Sequence, residues 1–176
     1  MEFSGKKIIL TGYRACGKTS VGKILAAKLG LDFIDMDKVL EERYGSIRQM
    51  VEDQGWDFFR ARERELLDEL TGRDNLVVAT GGGAIMHHPQ WQRLMDTGLT
   101  VWLTGDVETI CRRLAADLVS AEQRPSLTGQ DIRDEVAGVL AEREPFYRQG
   151  SHLTVDGNMD LADIVLKIEN FLQGDK

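Results

Sequence analysis

The chain has 176 residues, 42% hydrophobic and 29% charged, proportions that fit one globular domain and exclude a disordered or fibrous chain. Its 22 basic and 29 acidic residues leave a net charge of −7, which argues against a dedicated binder of nucleic acid or anionic membrane, whose affinity rests on a basic surface. Two cysteines, Cys16 and Cys111, are too few for a disulfide framework, and no apolar run reaches the roughly 20 residues of a bilayer span. Thr11 to Arg14 interrupt the apolar stretch that a signal peptide would need, so the expectation is a monomeric cytoplasmic protein.

Lys7-Ile-Ile-Leu-Thr11 reads as a buried strand, apolar on both faces. Val21, Ile24, Leu25 and Leu29 recur at helical spacing before Gly30, a C′ stop. Asp32 to Asp35 is a second strand, followed by a helical region over Lys38 to Tyr44. Ser46-Ile-Arg-Gln49 has the form of a capping box, and Phe59, Leu66, Leu67 and Leu70 form one face of a longer helix ending at Gly72. Leu76 to Thr80 is the third strand. Pro89 opens a helix, Leu99 to Leu103 is the fourth strand, and Val107, Ile110, Cys111 and Leu114 mark another helix. Residues 119–130 lack periodicity and contain Arg124-Pro125, the mark of a surface loop. A helix from about Asp131 towards Tyr147, a strand over His152 to Val155 and a closing helix carrying Leu161, Ile164, Val165 and Ile168 complete the chain. This alternation predicts one α/β domain, a parallel sheet with helices on both faces.

Gly12-Tyr-Arg-Ala-Cys-Gly17-Lys18-Thr19 matches G-x-x-x-x-G-K-[ST] between the first strand and the first helix. Backbone N–H groups of such a loop wrap phosphate oxygens, and the helix N-terminus adds positive potential. The loop residues Gly12, Ala15, Cys16, Gly17, Lys18, Thr19 and Ser20 are therefore the nucleotide candidates. Lys18 would reach the β and γ phosphates and Thr19 would ligate Mg²⁺. A chain this short, without the Asn-Lys-x-Asp element that reads guanine, fits a small-molecule kinase.

On the acceptor side, Asp35 and Asp37 sit at the end of the second strand, where one carboxylate could hold hydrated Mg²⁺ and the other the attacking hydroxyl. Phe59-Arg60-Ala-Arg-Glu63, the triplet Gly81-Gly82-Gly83, Arg124-Pro125 and Arg143-Glu-Pro-Phe-Tyr147 follow in order. Each has a bland reading alone: a solvated arginine, a turn, a surface charge. Together, in this order and spacing from about residue 7 to residue 170, they resemble the shikimate kinases.

That resemblance implies the fold of the nucleoside monophosphate kinases: a five-stranded parallel sheet, a substrate-binding region at about 35–63 and a lid at about 117–130. It implies ATP and Mg²⁺ as cofactors and shikimate as the small-molecule partner, phosphorylated on its 3-hydroxyl. By position, Asp37, Arg60, Gly81, Gly82, Gly83 and Arg143 bind substrate, with the arginines facing the carboxylate. Glu63 orients these groups, Arg124 of the lid acts with Lys18 and Asp37 in catalysis, and Thr19 and Asp35 form the metal environment. Arg113 lies near the adenine-packing position.

Two loop positions depart from the family. Ala15 replaces a usual glycine, harmless at negative φ and costly at positive φ. Cys16, at a helix N-terminus, would be an acidified, reactive thiol unless it is a buried filler. Tyr13 and Arg14 are expected to face the substrate cavity or the lid, His87 and His88 to be surface residues, and the tryptophans to serve mainly packing. Gluconate kinases continue Asp-x-Asp-x-x-His-Pro, whereas Lys38-Val-Leu40 follows here. A nucleoside monophosphate acceptor would be opposed by Asp37. Intact Lys18, Thr19, Asp37 and Arg124 speak against a non-catalytic nucleotide-binding regulator that kept the fold and lost turnover.

Overall fold

The computed structural model describes residues 7–116 and 131–174. Five strands form one parallel sheet: β1 (Lys7–Thr11), β2 (Asp32–Asp35), β3 (Leu76–Ala79), β4 (Leu99–Thr104) and β5 (Leu153–Asp156), in the order β2-β3-β1-β4-β5. The helices are α1 (Lys18–Leu29), α2 (Met36–Tyr44), α3 (Ile47–Thr71), α4 (His88–Met95), α5 (Val107–Ala116), α6 (Ile132–Gln149) and α7 (Leu161–Gln173), with a 3₁₀ turn at Ala84–Met86.

The three central strands β1, β3 and β4 are buried along nearly their whole length, which is why their sequences are apolar on both faces. Alternate side chains of β1 enter different cores. Ile9 packs with Val78, Trp102, Met36, Leu67 and Tyr147, whereas Ile8 and Leu10 pack with Val77, Leu103, Leu25 and Ile168. Truncating a fully buried leucine such as Leu67 to alanine costs about 2–5 kcal/mol. The edge strands β2 and β5 are more exposed.

The local signals hold with small shifts. Ser46 Oγ accepts from the Gln49 amide at 3.2 Å, and Gly30, at φ 65°, closes α1 by donating its N–H to Ala26 O. Gly55 (φ 82°, ψ 168°) breaks α3 into two helical pieces. Lys7 is fully buried, and its Nζ donates to Leu70 O (2.9 Å), Thr71 O (3.1 Å) and Thr97 Oγ1 (2.9 Å), capping the end of α3 from the first strand. Burial pushes the Lys7 ammonium below its ordinary pKa, and the Asp74 charge partly opposes this.

Strand register sets the level of the loops. Leu10 pairs with Ala79, and Ala79 with Asp35, so the loops after β1, β2 and β3 leave the sheet at the same carboxyl edge, where α/β proteins bind ligands. Among the described residues, no helix is long and apolar enough to cross a membrane.

Candidate active site

The phosphate loop owes its path to two glycines. Gly12 has φ 138°, and a Cβ there would collide with the Leu103 carbonyl oxygen. Gly17 has φ 102° and opens α1. Ala15 stands at φ 61°, the positive, costly case. Lys18 Nζ donates to Gly12 O and Tyr13 O, each at 2.7 Å, so the ammonium lies across the loop where phosphate oxygens would come. Thr19 Oγ1 donates to Asp35 Oδ2 at 2.7 Å, while Asp35 Oδ1 accepts from the Asp37 and Lys38 amides and caps α2. The two predicted metal residues are thus adjacent.

A cleft of about 820 Å³ runs over the loop. Ala15, Cys16, Gly17, Lys18, Thr19 and Ser20 line it, with Asp35, Asp37, Arg113 and the turn at Asn158. Arg113 clamps the loop: Nη1 donates to Ala15 O (3.2 Å) and Nη2 to Gly157 O (2.9 Å), tying it to the turn between β5 and α7. The donor set fits a nucleotide and a hard cation. A glycine-built cradle, an ammonium and a helix N-terminus suit a polyphosphate, and the Thr19 hydroxyl beside the Asp35 carboxylate suits Mg²⁺, which takes one or two protein oxygens and completes its shell with phosphate and water.

A second cluster of the predicted site residues is organised around the glycine triplet. A Cβ on Gly81 would collide with Glu63 Oε1 and lie 3.2 Å from Asp37 Oδ1; one on Gly83 would collide with the Arg60 guanidinium. Gly82 O accepts from Arg143 Nη1 (3.1 Å) and from the Tyr147 hydroxyl (2.6 Å). The same Gly82 lies against Gly12 O and the Arg14 amide, where a Cβ would be 3.5 and 3.4 Å away. Asp37, Arg60, Gly81, Gly82, Gly83 and Arg143, scattered over more than half the chain, are therefore gathered beside the phosphate loop. Arg124 and the lid lie outside the described residues.

Glu63 stands behind Arg60. It is 1% exposed, and its Oε2 accepts from Arg60 Nη1 at 2.6 Å and pairs with His87 Nε2 at 2.8 Å. Burial alone would raise its pKa, but the His87 hydrogen bond and the Arg60 charge outweigh that and hold the carboxyl below its ordinary range. Arg60 also stacks over Trp56, 5.4 Å from the ring centroid.

Several expectations change. His87 is buried, unlike exposed His88, because the 3₁₀ turn folds it back onto Glu63 on α3. Tyr13 does not line the cleft; it is buried among Ile110, Leu114, Val136 and Val139, and the lid it was expected to face lies outside the described residues. Arg14 does line the cleft, and its Nη2 donates to buried Glu135 at 3.0 Å. Cys16 is fully buried in the core beneath the loop, a filler rather than a presented thiol. Glu135 carried no local signal, since its partner lies 121 residues away. Tyr147, visible only as part of a motif, stacks on Trp102 at 5.7 Å, and burial raises its hydroxyl pKa.

The family model for shikimate kinase matches residues 14–173. A shikimate kinase of Nitratidesulfovibrio vulgaris is 41% identical over 167 residues, 94% of this chain and 95% of the relative. Among solved structures, the shikimate kinase of Acinetobacter baumannii in complex with shikimate superposes with a TM-score of 0.89 at 36% identity, covering 98% of this chain and 96% of that one. The enzyme from Bacteroides thetaiotaomicron superposes with a TM-score of 0.84 at 32% identity, covering 95% and 98%. Shikimate kinases carry out the ATP-dependent phosphorylation of shikimate with Mg²⁺. On this family match and these near-full-length relatives, the chain belongs to the shikimate kinase family.

Proposed function

We propose that the chain transfers the γ-phosphoryl group of ATP to the 3-hydroxyl of shikimate in the cleft above the sheet, as one domain and as a monomer of the cytoplasm. The observation that carries this reading is the contact of the glycine triplet with the phosphate loop at Gly82 and Gly12. On this reading the acid-binding end would lie beside the phosphate-binding end, with the acceptor hydroxyl between them.

Arg60 and Arg143 would take the substrate carboxylate, since planar guanidinium forks suit bidentate recognition and local cations are needed in a chain of net charge −7. The Gly81–Gly83 backbone gives the ring room to approach. Asp37 would accept a hydrogen bond from the attacking hydroxyl and orient it, a positioning task that supplies much of the rate in phosphoryl transfer. Lys18 would exchange its loop carbonyls for phosphate oxygens. Thr19 and Asp35 would hold Mg²⁺, which neutralises charge on the phosphates when bound. Arg124 is proposed to close over the transferring group from the lid.

The test is a coupled ADP-release assay with shikimate, gluconate and AMP, with the product examined by ³¹P NMR. Only shikimate should support turnover, and the phosphate should couple to the proton on C3. Asp37→Asn should lower kcat by about 10²-fold or more while ATP affinity by calorimetry stays within about twofold. An Asp37→Asn enzyme that turns over like wild type would overturn the assignment.

A further inference from the structure

The Glu63 carboxylate is held in an unusual way. Both donors meet on Oε2: Arg60 Nη1 from the substrate side and His87 Nε2 from behind. Oε1 is buried without a hydrogen-bond partner, wedged against Gly81. The orientation of this buried anion therefore hangs on two bonds to one oxygen. An ionised carboxylate only accepts, so His87 Nε2 carries the proton and donates.

His87 also belongs to the same small unit as the glycine triplet. Ala84 N donates to Gly81 O (3.1 Å), Met86 N to Gly83 O (3.0 Å) and His87 N to Ala84 O (3.1 Å). The two ends of this unit grip the Arg60–Glu63 pair: Gly83 lies against the guanidinium, and the His87 ring holds the far side of the carboxylate. Arg60 keeps 23% of its side chain exposed.

We propose that His87 is a positioning residue for acid recognition: by donating to Glu63 it fixes the carboxylate that aims Arg60 at the substrate. This rests on the reading of Arg60 as a carboxylate-binding group. Without the imidazole, Glu63 keeps a single donor on a buried anion and swings about its last torsion, taking Arg60 with it. The phosphate loop, which His87 does not touch, keeps its geometry. The loss therefore falls on the acid and spares the nucleotide.

The experiment compares steady-state kinetics of wild type, His87→Leu and His87→Gln, alone and with Arg60→Lys. His87→Leu should raise the shikimate KM about tenfold, as expected for loss of a hydrogen bond to a charged group, with the ATP KM and kcat within about twofold. His87→Gln, whose amide nitrogen reaches the place of Nε2, should return the shikimate KM to within about threefold of wild type. In the Arg60→Lys background, His87→Leu should add less than about twofold, because its route to the substrate is already broken. If His87→Leu does not fold, His87→Asn, too short to reach Glu63, replaces it in every comparison. A shikimate KM unchanged in His87→Leu, an ATP KM that rises in step with it, or no rescue by glutamine would each overturn the proposal. An Arg60→Lys enzyme with wild-type shikimate KM would instead overturn the reading of Arg60 beneath it.

Discussion

Replacing Ala15 by glycine and by valine measures the strain stored in the phosphate loop. At φ 61°, a residue with a Cβ pays about 1–2 kcal/mol. Glycine removes that cost but frees the unfolded chain by about 0.4–1 kcal/mol. It also gives up the Ala15 methyl, half-buried against the cluster of Ile110 and Val136, for roughly half of the ~0.8 kcal/mol of a buried methylene. Ala15→Gly should therefore fall between about 0.4 kcal/mol less stable and about 1 kcal/mol more stable, a shift in Tm of no more than about 2–4 °C for a chain of this size. The loop has little freedom to escape by flipping, because Arg113 holds the Ala15 carbonyl and Cys16 is buried beneath it. Ala15→Val should then cost about 2 kcal/mol or more, a β-branched side chain being an outlier in that region. Urea unfolding of the three proteins gives the order directly. A glycine variant about 1 kcal/mol less stable, with valine near wild type, is the order of a residue at negative φ and would refute the reasoning.

Alkylation of the native protein should modify half-buried Cys111 before fully buried Cys16, and added ATP should change neither rate much. Peptide mass mapping that finds Cys16 labelled first would contradict this. The Glu63 carboxyl, held below its usual 4.5 in the fold by His87 and Arg60 against the opposing effect of burial, contributes stability that is fully present above pH 4.5 and lost as pH falls through its folded value. Glu63→Gln should therefore flatten the acid limb of a plot of unfolding free energy against pH by up to about one proton, and an unchanged limb would count against the pairing.

The strands and the phosphate loop were legible because they are local patterns. Lys7 to Thr11 is apolar on both faces, and Gly17-Lys18-Thr19 follows at the mouth of a helix. The substrate side was legible only as an ordered set. No spacing says that Arg60 on α3 and Arg143 on α6 meet at the glycine triplet, and the resemblance to a family carried that step. Gly55 left no mark on the expected helix because a single glycine is tolerated within a helical pattern until packing requires a break.

Element order, sheet type and the polyphosphate site were written in the chain itself, since hydrogen-bonding period and glycine placement act over a few residues. The sign of φ at Ala15, the inward turn of Tyr13, the Arg113 clamp and the pairings of Glu63 with His87 and of Arg14 with Glu135 were decided only in three dimensions. Each depends on partners 24 to 121 residues apart or on the packing around a loop. A charged side chain reads as surface until the fold supplies the counter-charge and the donors that make its burial affordable.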